Sequence, residues 1–381
     1  MKLYNLGHVP WLESQLVYHA LPRLDMEGLV LLAPAEPYVC IGYHQDVTQE
    51  VDLDYCRARD IPVFRREVGG GAVYLDGNQL FYQVILHENS PLASSDKEAF
   101  YRALLEPAAE TYRQMGIAAR YKPVNDIITD EGRKISGTGA AEIGDYLILV
   151  GNVIMDFDYE TMVRVLRVPD EKYRDKVYKS LRENLSTIRR ELGAVPPLEE
   201  ISAALVANYE AVLGPLEESE LPPAVYDKVA ELKQTHTTDE WLYKRGKKRE
   251  ERQDFGELSR AVKIATGVAV SQQVYKAPGG LIRAIVETIE TSPPGPALSK
   301  VEGWGGTEGG HRGIRIAEVS LSGDFFFYPA DKLEALEDVL AGVKLAAVEP
   351  TIAEFYRREG IESPGVTPAD FARALTGQEV P

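Results

Sequence analysis

A pair of arginines, Arg65 and Arg66, precedes the consecutive glycines Gly69, Gly70 and Gly71. Glycine leaves the backbone N–H uncovered and permits a positive φ, so successive amides can converge on one anion. Arginine adds a fixed positive charge and forked donors that suit a phosphate or a carboxylate. The segment therefore predicts an anion-binding loop, although it matches neither a P-loop nor a Rossmann fingerprint. Taken alone, a tight hairpin with two solvated arginines explains it equally well.

A second polar segment begins at Asn125 and Asp126 and continues, after a turn, at Lys134, Ser136 and Gly137. A lysine followed by small residues places an ammonium charge beside exposed amides and hydroxyl groups. Such a group suits a phosphate, or a negative charge that develops during a reaction. The alternative is a hairpin with the lysine on its exposed face, and for this segment alone that simpler explanation is the better one.

The order and spacing of the two segments resemble the lipoate–protein ligase family. Its hallmarks are an RRxxGGGxV loop, an Asn-Asp pair on a following strand, and a KxSG loop about ten residues later. Residues 65–73, 125–126 and 134–137 carry these patterns here. The resemblance spans residues 1–213, and residues 227–342 are similar to the small accessory domain of the longer ligases. Further matches lie at residues 41–45, 50–51 and 80–82.

The resemblance implies a two-step reaction that uses ATP, Mg²⁺ and lipoate. Lipoate and ATP give lipoyl-adenylate and pyrophosphate, and the lipoyl group then passes to a lysine of a carrier domain. The first step brings an anionic carboxylate to the anionic α-phosphate, so fixed cations and Mg²⁺ must offset the repulsion. The implied partners are the lipoyl domains of 2-oxoacid dehydrogenases or the glycine cleavage H protein.

The family match also implies roles for individual residues. Lys134 is the expected catalytic residue, placed between the lipoate carboxyl group and the α-phosphate. Asp126 is the expected Mg²⁺ ligand, with Asn125 beside it, and Arg66 with the glycine amides is expected to hold the nucleotide phosphates. For the apolar members of the set, plain core packing is an equally good explanation. The residues expected to bind the nucleotide or lipoate are Arg66, Gly69, Gly70, Gly71, Ala72, Val73, Tyr74, Asn125, Asp126, Ser136 and Gly137.

Three positions depart from the family pattern. Val68 stands where Ser or Thr is usual, Gly139 replaces an alanine, and residues 149–152 lack the histidines that many ligases carry. Because the arginine, the glycines and the lysine are intact, we expect these departures to affect the acyl specificity more than adenylation.

The nearest alternative is an octanoyl or lipoyl transferase of the same superfamily, which moves an acyl group between carriers without ATP. Such enzymes need a cysteine nucleophile near the lysine loop. The cysteines of this sequence are Cys40 and Cys56, both well before that loop, so the sequence argues against a transferase. Residues 43–45 nevertheless look transferase-like. A non-catalytic lipoate- or nucleotide-binding protein on the same scaffold is the other alternative.

Composition and charge restrict the class of protein further. The 42 basic and 59 acidic residues give a net charge of −17, which argues against nucleic acid as the main partner. No apolar run approaches the ~18 residues that cross a bilayer, and the first residues lack a signal-peptide pattern. Neither the cysteines nor the six histidines have the spacing of a zinc site. We therefore expect a cytoplasmic protein with no membrane partner.

Basic residues nevertheless concentrate within residues 170–190. In the family, the corresponding region contains a loop that folds over the adenylate, and it also lies near the carrier-docking surface. The resemblance therefore implies that this segment is mobile without ligand and becomes ordered with the adenylate. It also implies that the basic residues steer an acidic carrier domain. The alternative is a solvated helix face whose lysines and arginines pair with neighbouring carboxylates.

The family resemblance implies an α+β fold, and the alternation of strand-like and helix-like segments is consistent with it. We expect a mixed β-sheet flanked by helices, as in biotin/lipoate ligase-like catalytic domains, and a smaller α+β C-terminal accessory domain. The predicted strands are residues 28–33, 38–43, 61–65, 80–87, 121–128, 146–155, 282–287 and 314–321. The predicted helices are residues 14–21, 96–115, 170–181, 199–213, one containing Leu333, Leu336 and Leu340, and two short pieces within 350–381.

Two segments interrupt this alternation. Residues 215–224 combine prolines with glutamates and predict a linker between a catalytic domain at 1–214 and the accessory domain at 225–381. Residues 292–311 are rich in glycine and proline and predict a mobile hairpin insertion in the accessory domain.

Overall fold

The computed structural model describes residues 1–94, 96–245, 262–265, 268–291 and 313–377. The chain divides into two compact units, Met1–Lys247 and Lys248–Pro381. The insertion predicted at residues 292–311 lies outside the described residues. Among the helices that are described, none is long and apolar enough to cross a membrane.

The first unit contains most of the secondary structure. Its strands are β1 (Lys2–Val9), β2 (Gly28–Pro34), β3 (Tyr38–Ile41), β4 (Val63–Arg65), β5 (Val73–Leu75), β6 (Gln79–His87), β7 (Ala119–Lys122), β8 (Asp126–Thr129), β9 (Lys134–Ser136), β10 (Thr138–Ile143), β11 (Tyr146–Ile154) and β12 (Glu217–Glu218). Its helices are α1 (Glu13–Ala20), α2 (Val47–Glu50), α3 (Leu53–Ala58), α4 (Lys97–Gln114), α5 (Tyr159–Val165), α6 (Glu171–Asn184), α7 (Ile188–Leu192), α8 (Leu198–Leu213), α9 (Pro223–His236) and α10 (Asp239–Leu242).

A six-stranded mixed sheet forms the centre of this unit, in the order β10-β11-β6-β2-β1-β12. The β1–β2 and β1–β12 pairs are parallel, whereas β2–β6, β6–β11 and β10–β11 are antiparallel. Every residue of β2 is buried, which explains its continuous apolar sequence. The predicted mixed sheet flanked by helices is confirmed. Two three-stranded sheets, β4-β3-β5 and β7-β8-β9, carry the motifs that the sequence singled out.

The helices α1, α4, α6 and α8 begin and end near the predicted positions, whereas α2, α5 and α7 were not predicted. Asp96 starts α4 by accepting hydrogen bonds from the backbone N–H groups of Glu98 and Ala99. The buried face of α4 includes Phe100, Leu104 and Tyr112. This arrangement confirms the helix predicted over residues 96–115.

Two expectations differ from the structure. The single strand predicted over 121–128 is wrong: the chain forms the hairpin β7–β8, with Lys122 paired to Asp126 across a turn that contains Pro123. The first unit also extends beyond the linker expected at 215–224. Glu217 and Glu218 of that segment pair with β1, and α9 packs on α1.

The second unit is a separate α+β structure. Its four-stranded antiparallel sheet has the order β13-β14-β15-β16, and its helices pack against the buried residues of that sheet. Leu333, Leu336 and Leu340 are buried, as the sequence predicted. The elements are β13 (Val262–Ala265), β14 (Val268–Ala277), β15 (Gly280–Thr291), β16 (Gly313–Gly323), α11 (Lys332–Leu340), α12 (Val348–Glu359) and α13 (Pro368–Thr376).

Candidate active site

The glycine loop, residues 66–72, connects β4 to β5 and packs on the turn that follows β3. Gly70 has φ +95°, a conformation that residues with a side chain rarely adopt. A Cβ atom on Gly42 would lie 1.9 Å from the carbonyl oxygen of Gly70, so the two backbones approach too closely for any side chain. The Tyr43 N–H also donates to the carbonyl of Val68 at 3.0 Å. Both glycines are therefore required by geometry.

Arg66 shapes this loop from within. Its guanidinium group donates to the carbonyl oxygens of Cys40 at 3.2 Å, Gly69 at 2.8 Å and Gly71 at 2.9 Å. These bonds fold the glycine segment around the guanidinium group and fix a positive charge beside the loop amides. The sequence suggested only a phosphate contact for Arg66, and the structure adds this organising role.

Arg65 is fully buried, so it is neither a solvated arginine nor an exposed phosphate ligand. Its guanidinium group donates to the carbonyl oxygens of Gly42 and Tyr43 on one side, and of Trp241 and Leu242 on the other. Burial, together with the charge of Arg245, lowers the pKa of Arg65 to about 9. The side chain therefore remains protonated at neutral pH, and its N–H groups donate to backbone carbonyl oxygens.

Lys134 and Asp126 begin the adjacent strands β9 and β8. The Lys134 Nζ lies 2.6 Å from Asp126 Oδ1, and the two side chains are 38% and 31% exposed. The backbone of Lys134 is bound on its other side, where its carbonyl oxygen accepts from the Ser186 N–H at 2.7 Å. The strand thus presents a fixed ammonium group and carboxylate together at a solvent-accessible position.

Asn125 and Ser136, the polar neighbours of this pair, serve the local structure. Asn125 Nδ2 donates to the Thr138 carbonyl at 2.6 Å, and the Thr138 hydroxyl donates to the Asn125 carbonyl. Ser136 is buried, and its hydroxyl lies 3.1 Å from the hydroxyl of Tyr82. The structure therefore places the Ser136 side chain in the core of the unit.

Two buried amide side chains connect the segment after the glycine loop to the lysine loop. Gln79 Nε2 donates to the Tyr74 carbonyl at 3.2 Å, and Gln79 Oε1 accepts from Asn152 Nδ2 at 2.7 Å. Asn152 Oδ1 in turn accepts from the backbone N–H of Gly137 at 2.7 Å. The sequence did not predict this chain of hydrogen bonds through Gln79 and Asn152, which we call the relay. The only signal for it was the presence of amide residues in otherwise apolar strands.

Two of the apolar members of the predicted set, Ala72 and Tyr74, pack in a hydrophobic cluster. Tyr74 is buried in a cluster that includes Val39 and Ile41, and Ala72 packs against the same cluster. Val73 is half-buried and pairs with Cys40 in the β3–β5 ladder. The contacts of Ala72 and Tyr74 support the packing explanation for these two positions.

Residues 11–210 match the family model of the lipoyl protein ligase A/B catalytic domain. The chain belongs to this family. Lipoate-protein ligase A subunit 1 of Thermoplasma acidophilum is 30% identical over 184 residues, which cover 46% of this chain and 68% of that protein. The octanoyltransferase LipM of Kyrpidia tusciae is 26% identical over 231 residues, covering 55% of this chain and 84% of that protein.

Solved structures of ligases of this family share the fold. A bipartite lipoate protein ligase from Thermoplasma acidophilum, described with its E2 lipoyl domain, aligns with a TM-score of 0.57 and 28% identity, over 64% of this chain and 95% of that one. A lipoate-protein ligase A bound with ATP aligns with a TM-score of 0.54 and 25% identity, over 64% and 98%. The P. falciparum LipL1 structure matches 95% of both chains at 13% identity and a TM-score of 0.59, a likeness of fold alone.

The cysteines bear on which chemistry of the lipoyl ligase family this chain performs. Cys40 and Cys56 are both buried. Burial raises the pKa of the Cys40 thiol, and burial together with Asp52 raises that of Cys56 to about 11. Neither thiol is therefore ionised near neutral pH, and neither is accessible to an acyl donor.

Asp126 is the carboxylate of the predicted site that could contribute to holding a metal ion. The described residues contain no group of three or more His, Cys, Asp or Glu side chains that could hold a metal ion by themselves. Mg²⁺ is commonly held by one or two carboxylates together with substrate phosphates. The carboxylate of Asp126 suits that mode of binding, since it is partly exposed and single.

Proposed function

We propose that this chain is an ATP-dependent lipoate–protein ligase. In the first step, a carboxylate oxygen of lipoate attacks the α-phosphate of ATP, and pyrophosphate leaves. In the second step, the ε-amine of a carrier lysine attacks the acyl carbonyl, an amide forms, and AMP leaves. The carrier is a lipoyl domain of a 2-oxoacid dehydrogenase or the glycine cleavage H protein.

One observation carries this proposal: both cysteine thiols are buried, whereas the glycine loop and the lysine loop of the ligase pattern are intact. Transfer through a thioester needs an accessible thiolate, whereas Cys40 and Cys56 are buried and have raised pKa values. Adenylation instead needs fixed cations near the reacting phosphate. Lys134 and Arg66, whose guanidinium group is held by the glycine loop, are cations of that kind.

The contacts of each residue support its proposed role. Arg66 and the amides of the glycine loop bind the nucleotide phosphates, because the guanidinium charge is held inside the loop. Lys134 stabilises the charge that develops between the lipoate carboxylate and the α-phosphate, while Asp126 keeps its ammonium group in place. Mg²⁺, when bound, neutralises phosphate charge, and Asp126 is the residue that would hold it.

The second candidate is an octanoyltransferase, and the similarity to LipM of Kyrpidia tusciae favours it. The sequence stretch at residues 43–45 was its other support. This reading requires one of the two buried thiols to become accessible, since acyl transfer between carriers needs a nucleophile.

One experiment separates the two candidates. The purified chain is incubated with a lipoyl-domain acceptor and lipoate, with and without ATP, and the acceptor mass is recorded. A parallel reaction supplies an octanoylated carrier as donor without ATP. The ligase proposal predicts lipoylation only in the presence of ATP. Octanoyl transfer in the ATP-free reaction, with no lipoylation from free lipoate, would establish the transferase instead.

A further inference from the structure

The segment that follows the family match binds both sequence neighbours of Arg66. We call residues 223–244, which comprise α9 and α10, the strap. They lie beyond residues 11–210, the part matched by the family model. The strap packs on α1 through α9 and on β4 through α10. The strap contacts the two residues that flank Arg66 in the sequence, Arg65 and Glu67.

The Arg65 contact is reciprocal. Arg65 Nε donates to the Trp241 carbonyl at 3.0 Å, and Arg65 Nη2 donates to the Leu242 carbonyl at 2.6 Å. In return, the indole N–H of Trp241 donates to the Arg65 carbonyl at 2.8 Å. A buried guanidinium group is costly without acceptors, so the strap is a necessary part of its environment.

The Glu67 contact is a charged hydrogen bond within the same buried region. His236 Nε2 lies 2.8 Å from Glu67 Oε1, and Arg23 Nη2 lies 2.7 Å from the same oxygen. A carboxylate only accepts, so the Nε2 atom of His236 carries the hydrogen. The His236 and Trp241 rings are 4.3 Å apart, which joins the two anchor points within the strap.

A short series of contacts connects Arg65 to the glycine loop. Arg65 Nη1 donates to the carbonyls of Gly42 and Tyr43. Gly42 lies against the backbone of Gly70, and the Tyr43 N–H binds the Val68 carbonyl. A shift of the strap would therefore displace the loop on both sides of the Arg66 guanidinium group.

We propose that the strap positions the nucleotide-binding loop, with Trp241 and His236 acting through Arg65 and Glu67 on the conformation of the residues between them. This inference rests on the proposed function, because ATP is taken as the ligand of the loop. Trp241 and His236 are positioning residues and touch no reacting atom. Their loss weakens ATP binding while leaving the turnover rate at saturating ATP nearly unchanged.

The test uses the full chain and two pairs of variants. Trp241→Phe keeps an aromatic ring against Tyr43 and His236 but removes the donor to the Arg65 carbonyl. His236→Leu removes the donor to Glu67, and His236→Gln retains an N–H at the equivalent position. Tyr226→Phe is the matched control, since it removes a hydroxyl from an exposed position of the same strap. Each variant is titrated calorimetrically with ATP·Mg²⁺, and its lipoate-dependent ATP–pyrophosphate exchange and melting temperature are measured.

Trp241→Phe and His236→Leu are each expected to weaken ATP binding about tenfold, the equivalent of one lost hydrogen bond. His236→Gln should recover most of the affinity, and Tyr226→Phe should bind as the unmodified chain does. Lower melting temperatures with unchanged ATP affinity would overturn the inference. If ATP binding follows the predicted pattern but no variant and no unmodified chain shows exchange, the ligase proposal fails while the role of the strap stands. If the unmodified chain binds no ATP, both fail.

Discussion

The ammonium group of Lys134 lies 2.6 Å from a carboxylate oxygen of Asp126, at the start of two adjacent strands. Both side chains are about one-third exposed, so solvent screens the pair and it adds little to stability. An incoming anion can bind Lys134, and an incoming cation can bind Asp126, in place of the present partner. The pair is therefore accessible to a ligand, as the proposed roles of Lys134 and Asp126 require.

Lys134→Ala should lower lipoate-dependent pyrophosphate release at least about a hundredfold, because it removes the cation proposed to stabilise charge on the reacting groups. The melting temperature should change little, since the lost ion pair is screened. Lys122→Ala is the matched control: Lys122 is exposed and lies opposite Asp126 in β7. Near-normal pyrophosphate release by the Lys134 variant would remove this residue from the mechanism.

Replacing both Cys40 and Cys56 by alanine should leave ATP-dependent lipoylation within about threefold of normal, provided that the variant folds. Alanine is preferred to serine because a buried hydroxyl without a partner costs about 1–3 kcal/mol. The measurement is the initial rate of carrier modification, with circular dichroism to verify folding. A folded variant that has lost transfer would contradict the ligase account, all the more so if a thioester is trapped on the unmodified chain.

Asn152→Ala should destabilise the chain by about 1–3 kcal/mol, because it leaves Gln79 Oε1 buried without a partner and removes the acceptor of the partly buried Gly137 N–H. It should also slow adenylation, since the relay fixes the segment that follows Lys134. Urea unfolding and pyrophosphate release test the two effects. Asn78→Ala is the control, as it removes an exposed amide from the residue before Gln79. Equal stability of the two variants would show that the relay has no energetic importance.

His19 should make stability depend on pH. Burial, reinforced by the neighbouring charges of His236 and Arg23 and opposed by Glu67, lowers its pKa from 6.5 to about 3. Its Nε2 atom accepts the Glu67 N–H at 3.2 Å, so the native ring is neutral. As the pH falls from 6.5 toward 3, the unfolded chain gains a proton that the native chain does not, and stability decreases.

By this reasoning His19 removes about 2 kcal/mol of unfolding free energy between pH 7 and pH 5. His19→Gln keeps an acceptor for the Glu67 N–H but does not titrate. Its free energy of unfolding, measured in urea at both pH values, should fall by about 2 kcal/mol less than that of the unmodified chain over this range. Parallel pH profiles for the two proteins would refute the assignment.

Reversing the charges of Lys176 and Lys179 should slow transfer to the carrier more than it slows adenylation. Both lysines are exposed on α6, and the residue after that helix pairs with Lys134. Lys276→Glu with Lys344→Glu makes the same charge change at two exposed positions of the second unit and is the control. The difference between the two double variants should shrink as salt is raised, because ionic strength screens electrostatic steering. A difference that is independent of salt would argue against steering.

The sequence predicted local features of the candidate site and missed the distant ones. Gly70, Asp126 and Lys134 lie in short patterns whose chemistry can be inferred from neighbouring residues. Apolar periodicity predicted seven of the 16 described strands and the long helices α4 and α8, whereas β1 and β14 were not predicted. The burial of Arg65 could not be predicted from its sequence neighbours, because its partner Trp241 is 176 positions away. The Gln79–Asn152 bond similarly joins residues 73 positions apart. Such pairings are set by the packing of the whole unit.

The most direct test of the central claim is isotope exchange between pyrophosphate and ATP in the presence of lipoate and Mg²⁺, with no carrier protein added. The account predicts exchange that requires lipoate, persists in the double cysteine variant and is lost in Lys134→Ala. Reversible formation of an acyl-adenylate is the only step that this assay needs. A folded chain that shows no lipoate-dependent exchange, yet transfers an octanoyl group from one carrier to another without ATP, would contradict it.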